Sequence, residues 1–112
     1  MDLSSRIFVA GHRGLAGSAI LRQLEREGYS NVVLRTRAEL DLRDAVAVDR
    51  FFDQERPEFV FLAAAQVGGI LANSSAPADF LRNNLLIAAN VIDSAWRCGV
   101  PLQFTITRRP AG

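Results

Sequence analysis

An α/β fold built on a parallel sheet is the class this sequence of 112 residues predicts. Two observations predict it. Short apolar runs alternate along the chain with segments of helical periodicity, and a glycine triplet, Gly11-x-x-Gly14-x-x-Gly17, stands between the first apolar run and the first helical segment. Strands and helices in strict alternation imply right-handed crossovers and a sheet covered on both faces. A glycine triplet at a strand-to-helix turn is the dinucleotide-binding arrangement of a Rossmann-type, doubly wound sheet. The expected architecture is part of such a sheet, ending after about four to five strands.

The elements follow in order. Arg6-Ile7-Phe8-Val9-Ala10 is apolar, partly β-branched and stopped by glycine, as a buried parallel strand should be. From Leu15 to Glu27 the apolar positions Leu15, Ala16, Ala19, Ile20 and Leu24 keep helical spacing, and Gly28 ends the helix. Residues 31–36 contain Val32-Val33-Leu34 and read as a second strand. Asp44 can cap a helix to about Glu55, with Ala45, Val48 and Phe52 inward, before Pro57 breaks it. Residues 59–63 form a third strand, and Gly68-Gly69 marks a loop beyond it. The longest helix runs from near Pro77 to about Cys98, because Phe80 or Leu81, Asn84 or Leu85, Ala88, Val91 or Ile92, and Ala95 keep the 3.6-residue period. Residues 102–107 can form a last strand, closed by Pro110.

Composition narrows the function. With 49% hydrophobic residues the chain can form a core as one domain. Its 13 basic and 12 acidic residues give a formal charge of +1 and are scattered along the chain, which excludes a basic stripe for nucleic acid. No apolar run approaches the length of a membrane span, and the first residues carry no apolar signal core. The lone Cys98 cannot form an internal disulfide. A soluble, cytoplasmic protein is expected. Every basic residue is Arg, since the sequence contains no Lys.

The glycines divide the labour of an anion site. Gly11 permits the tight turn, Gly14 lets backbone approach a pyrophosphate, and Gly17 permits close helix-to-strand packing, while the helix N-terminus presents free amides and partial positive charge. A P-loop is excluded, because no Gly-Lys-Ser/Thr follows. Cofactor choice is read about 20 residues further on, where an acidic residue holds the ribose hydroxyls of NAD and an Arg accommodates the 2′-phosphate of NADP. The second strand ends in Arg35-Thr36-Arg37. Arg13 and Arg37 can clamp that phosphate bidentately, so NADP is favoured. Arg35 alternates away from Arg37 and is read as solvating the strand end. His12 is read as a solvent or backbone hydrogen-bonding residue, with no metal partners nearby.

Ile7-Phe8-Val9-Ala10-Gly11-His12-Arg13-Gly14, Leu34-Arg35-Thr36-Arg37 and Ala63-Ala64-Ala65-Gln66-Val67-Gly68-Gly69-Ile70 together resemble the GDP-L-fucose synthase family. Those are extended short-chain dehydrogenase/reductases that epimerise and then reduce GDP-4-keto-6-deoxy-D-mannose with NADPH. The resemblance covers roughly residues 5–100. It implies that Gly11, Arg13, Gly14 and Leu15 line the phosphate site with Gly17 behind them, and that Arg37 holds the 2′-phosphate. It further implies that Asp41 and Leu42 flank the adenine and that Ala63, Ala64 and Ala65 pass the cofactor ribose. Asn84 and Asn90 match two asparagines that such enzymes carry on the long helix, Asn90 being read as a structural hydrogen bond. Two departures weaken the match: Gln66 stands where a Lys is expected and Ala16 where a larger aliphatic residue is usual.

The likeness is expected to cover an N-terminal part of the NADP-binding domain, residues 1–100, followed by a tail, 101–112, without family pattern. The family's Ser-Ser-Cys segment and Tyr-x-x-x-Lys do not occur in this sequence. The reductase chemistry needs a Tyr to deliver a proton while hydride arrives, with a Lys lowering its pKa. The single Tyr29 follows the first helix, and Cys98 is read as a small buried hydrophobe. No catalytic or metal-ligating residue is therefore assigned, and whether the chain is itself an enzyme stays open. The leading expectation is an N-terminal NADP-binding portion of such a synthase, inactive alone. The alternative is a non-catalytic NADP-binding or subunit-interaction module whose partner is an intact synthase subunit.

Overall fold

A computed structural model of the chain describes residues 2–63 and 77–104. Along the chain run β1 (Ile7–Ala10), α1 (Leu15–Arg26), β2 (Val32–Val33), α2 (Ala45–Glu55), β3 (Phe59–Leu62), α3 (Pro77–Arg97) and β4 (Leu102–Phe104). The strands lie in the order β2-β1-β3-β4, and every pairing is parallel. The chain steps from β1 out to β2, returns to place β3 on the other side of β1, and continues that way to β4. The reversal falls between β1 and β3. There the loops leave adjacent strand ends in opposite directions and open a crevice, the usual ligand position in such sheets. The α/β Rossmann-type expectation holds.

Strand alternation sorts the core into two layers. Phe8, Ala10, Val60 and Leu62 pack with Val48, Phe51 and Phe52 of α2, Val91 and Ala95 of α3, and Leu40. The Phe8 ring centroid lies 4.5 Å from that of Phe51 and 6.2 Å from that of Phe52. Such aromatic pairs stabilise by about 0.5–1.5 kcal/mol beyond the area they bury. Ile7 and Val9 face the other way, to Leu24 of α1, with Ile20, Tyr29, Phe59 and Phe61 around them. Tyr29, just after α1, packs as part of this layer. Among the described residues this face carries one helix where the other carries two, and Phe59 and Phe61 stay half-buried while Val60 and Leu62 are fully covered.

Local signals explain most boundaries. Asp44 caps α2 by accepting from the Val46 and Ala47 amides. The helix stops where Arg56 turns left-handed at φ 45° ahead of Pro57, whose ring disfavours a helical predecessor. Gly28 and Gly99, at φ 93° and 68°, follow α1 and α3. Between α2 and α3, buried Ser94 donates to Asp49, and Arg97 pairs with Asp49 at 3.3 Å and Asp53 at 3.4 Å.

Several expectations need correction. β2 is two residues rather than a 31–36 run, since only Val32 and Val33 pair, with Ile7 and Phe8. Beyond them Arg35 is drawn to Glu55 and Thr36 opens a turn, so side-chain bonds take the backbone out of the sheet. Ala45 is exposed and Phe51 is buried instead, because Ala45 sits in the first turn, ahead of the stripe that meets Phe8. Ala19 is likewise exposed, with Ile20 and Leu24 carrying the α1 contact. Cys98 is exposed rather than buried, since α3 ends at Arg97 and the chain turns away at Gly99. Of the last strand, Leu102–Phe104 pairs with β3. Residues 64–76, which include Ala64, Ala65, Gln66 and the Gly68-Gly69 loop, and residues 105–112 lie outside the described residues.

Candidate nucleotide site

The site is built at the carboxyl end of β1. Gly11 takes φ 86°, which a side chain would strain, and the Gly14 amide donates back to the Gly11 carbonyl at 3.0 Å. This closes the turn and aims Gly14 into α1 as its N-cap. Having no side chain, Gly14 supplies no capping oxygen, and the first turn of α1 contains no acidic residue. The helix therefore starts with free amides and unopposed dipole, an arrangement that favours an anion. Gly17 lies directly behind. A Cβ there would stand 1.8 Å from the Gly11 oxygen, so only hydrogen lets α1 come this close to the loop.

The opposite wall comes from the stretch after β2. Thr36 and Glu39 bond reciprocally: the Thr36 amide donates to Glu39 Oε1 at 2.8 Å and the Glu39 amide to Thr36 Oγ1 at 3.3 Å. The bond from the Thr36 amide also holds the Glu39 carboxyl below its ordinary pKa. With its acid committed to the turn, the exposed side chain of Arg37 is carried at the tip. Arg35 goes elsewhere. Its Nη2 donates to Glu55 Oε1 at 2.7 Å, its Nη1 to the Leu34 carbonyl at 2.8 Å, and its guanidinium lies 5.4 Å from the Phe51 ring centroid. It is half-buried and ion-paired, not merely solvating a strand end.

Next come Asp41 and Arg43. Asp41 Oδ1 accepts from the Arg43 amide and from Nε, both at 3.0 Å, and Oδ2 accepts from Nη2 at 2.9 Å. These bonds hold the Asp41 carboxyl down to about 2. Asn90 of α3 donates to the Leu42 carbonyl at 3.0 Å, tying the long helix to this wall. The bond is structural, but it reaches the loop between β2 and α2 rather than the helix or strand expected for Asn90.

Between the walls lies a cleft of about 430 Å³. Of the residues singled out in the sequence, Gly11, Arg13, Gly14, Arg37, Asp41 and Leu42 line it, as does Asn84. Gly17 supports the loop from behind, and Ala63 is buried with its amide bonded to the Ala10 carbonyl at 2.9 Å. Leu15 opens α1, but its side chain lies outside the described set. Half-buried His12 also lines the cleft, with Arg35, Thr36, Leu40, Arg43, Asn83 and Ile87. Thr36 was legible as the start of a T-x-x-E capping pattern. Leu40, Arg43 and Ile87 carried no local signal, since only folding brings α3 against the 40–43 stretch. Among the described residues no group of His, Cys, Asp or Glu could hold a metal.

A model of the NAD dependent epimerase/dehydratase family matches residues 7–108. The chain belongs to that family. Within this epimerase/dehydratase family it resembles GDP-L-fucose synthase 1 of Arabidopsis thaliana, at 59% identity over 99 residues, which is 88% of this chain and 31% of that protein. The GDP-L-fucose synthase of Escherichia coli is 57% identical over 90 residues, 80% of this chain and 28% of its own length. Among solved structures, a GDP-mannoheptose C4 reductase from Campylobacter jejuni with NADP bound superposes at a TM-score of 0.84 with 45% identity. That match covers 93% of this chain and 33% of the reductase. The chain spans about three-tenths of the length of the curated relatives it matches.

Proposed function

We propose that this chain is an NADP(H)-binding unit of the GDP-L-fucose synthase type, with residues 1–100 forming the nucleotide-binding part. One observation carries the reading: an uncapped helix N-terminus behind a glycine turn shares a cleft with the two arginines picked out for a 2′-phosphate, Arg13 and Arg37. Of the four arginines in the cleft wall, Arg35 is paired with Glu55 and Arg43 with Asp41, which leaves Arg13 and Arg37 without an ion pair among the described residues. Two such cations suit a ligand that carries a phosphate beyond its pyrophosphate, since Arg pairs bidentately with such oxygens. Gly11, Gly14 and the first amides of α1 hold the pyrophosphate, Arg13 and Arg37 the 2′-phosphate, and Asp41 and Leu42 the base. The resemblance puts the ribose beside Ala63, Ala64 and Ala65, of which Ala63 alone lies among the described residues. NADPH bound there would supply a hydride to a carbonyl.

In the family this chain resembles, the proton that accompanies the hydride comes from a Tyr-x-x-x-Lys pair, which this sequence does not contain. Tyr29 packs against α1, away from the cleft, and the sequence contains no Lys. The chain by itself binds the cofactor and does not turn over a nucleotide sugar. An equilibrium titration with NADPH and NADH tests this: binding of NADPH at least tenfold tighter than NADH is expected. Equal affinities, or formation of GDP-fucose by the isolated chain, would overturn it.

A second reading, a subunit-interaction module that pairs with an intact synthase, is favoured by the outer face of α3. Leu85, Ala89, Ile92 and Trp96 follow one another at helical spacing and all are exposed, Trp96 by 83%. Co-purification with a full-length synthase, lost on Trp96→Glu, supports it, and failure to co-purify removes it. No helix among the described residues is long and apolar enough to cross a membrane.

A further inference from the structure

Arg43 takes no part in holding the phosphates, yet its guanidinium is firmly oriented in the cleft wall. Its amide, Nε and Nη2 all donate to the one carboxylate of Asp41, two residues before it in the chain. A guanidinium held through two of its own nitrogens cannot rotate about its long axis, so its plane is set before any ligand arrives. Its side chain remains about one-third exposed.

Its charge is another matter. Asp41 sits 2.9 Å from Nη2 and cancels most of the field that Arg43 could offer an anion. Arg13 and Arg37 differ, for neither makes an ion pair among the described residues. The neighbours of Arg43 in the wall are apolar too: Leu40, Leu42 and Ile87 line the same cleft. A planar cation with its charge offset, next to aliphatic side chains, is poorly suited to phosphate and well suited to the face of a flat aromatic ring.

We propose that Arg43, held by Asp41, is a base-stacking residue that fixes the adenine end of the nucleotide. This rests on the nucleotide reading of the cleft and adds, to Asp41 and Leu42 already placed at the base, a residue that stacks on its face. Asp41 then also positions Arg43, and Leu40, Leu42 and Ile87 supply the apolar side of the slot. Truncating an aromatic side chain on which a base stacks weakens binding about five- to a hundred-and-fiftyfold, and a guanidinium plane is expected to act at the lower end of that range.

The test separates base from phosphate. Adenosine 2′,5′-bisphosphate and ribose 2,5-bisphosphate, which lacks the base, are titrated against the full chain and its Arg43→Ala and Arg43→Lys variants. Both variants should weaken adenosine 2′,5′-bisphosphate five- to tenfold or more and leave ribose 2,5-bisphosphate unchanged. Lys keeps the charge but loses the plane, so its failure to rescue supports stacking. Rescue by Lys, or equal weakening of both ligands, makes Arg43 a phosphate cation and overturns the proposal. No change with either ligand overturns it too. Unaltered thermal midpoints establish that the variants fold. A native chain that binds neither ligand removes the nucleotide reading itself and this inference with it, whereas a native chain that binds both and is indifferent to Arg43 removes only the inference.

Discussion

Gly17 lies so close to Gly11 that a Cβ built on it would stand 1.8 Å from the Gly11 carbonyl oxygen and 2.5 Å from its carbonyl carbon. Both clashing atoms are backbone, so no side chain can swing aside. Gly17→Ala should force α1 away from β1 and cost about 3 kcal/mol, the upper end of the usual overpacking range. Gly14 contrasts with it. A Cβ there meets only the Gly11 oxygen, at 3.4 Å, and its φ of −74° suits any residue. Gly14→Ala should therefore change stability by under about 0.5 kcal/mol yet weaken NADPH, because the new methyl stands where the pyrophosphate approaches. Chemical denaturation and NADPH titration of both variants check the pair. A stable Gly17→Ala would refute the packing account.

Arg37 and Arg13 decide phosphate preference. Truncating either to Ala should reduce NADPH affinity about ten- to a hundredfold, since a charge-assisted hydrogen bond contributes about 1.5–3 kcal/mol. NADH affinity should barely move. Raising salt should diminish the difference. A parallel loss for both cofactors would put these arginines on the pyrophosphate instead.

The Asp41 carboxyl should titrate near 2 rather than at 3.8, because Arg43 bonds to its charged form. Its folded pKa is depressed, so the pair's contribution to stability is fully present above pH 3.8 and is lost as pH falls toward 2. Both side chains are about one-third exposed or more, which makes that contribution small. Carbon-detected NMR titration of the carboxyls reads the midpoint directly. Arg43→Ala should return it toward 3.8, and a native midpoint already there would disprove the chelate.

Ser94 is buried and donates to Asp49 across the α2–α3 contact. That bond is the main cause holding the Asp49 carboxyl below its ordinary pKa. Ser94→Ala should cost about 1 kcal/mol and lower the thermal midpoint by about 4 °C. Since the Asp49 pKa is lowered in the fold, this loss should be clear at neutral pH and fade as pH falls below the ordinary Asp value. A loss independent of pH would point to packing rather than the hydrogen bond.

Residues near one another in sequence settled much of this protein. Alternating apolar runs placed β1, β3, α1 and α2 to within a residue or two, and Asp44, Gly28 and Pro57 marked helix ends, because periodicity and capping are local. The glycine spacing likewise located the turn and Gly17, since its steric demand lies within seven residues. Tertiary structure alone decided the rest. β2 ended at Val33 because Glu55, from another element, captured Arg35. Phe51 displaced Ala45 from the core because the inward stripe of α2 is fixed by where Phe8 stands. The cleft itself exists because the strand order reverses between β1 and β3, bringing α3 to the 36–43 wall, and Arg43 gained its place there only through that juxtaposition. Contacts between residues distant in the chain depend on the whole packing free energy, which no short window of sequence contains.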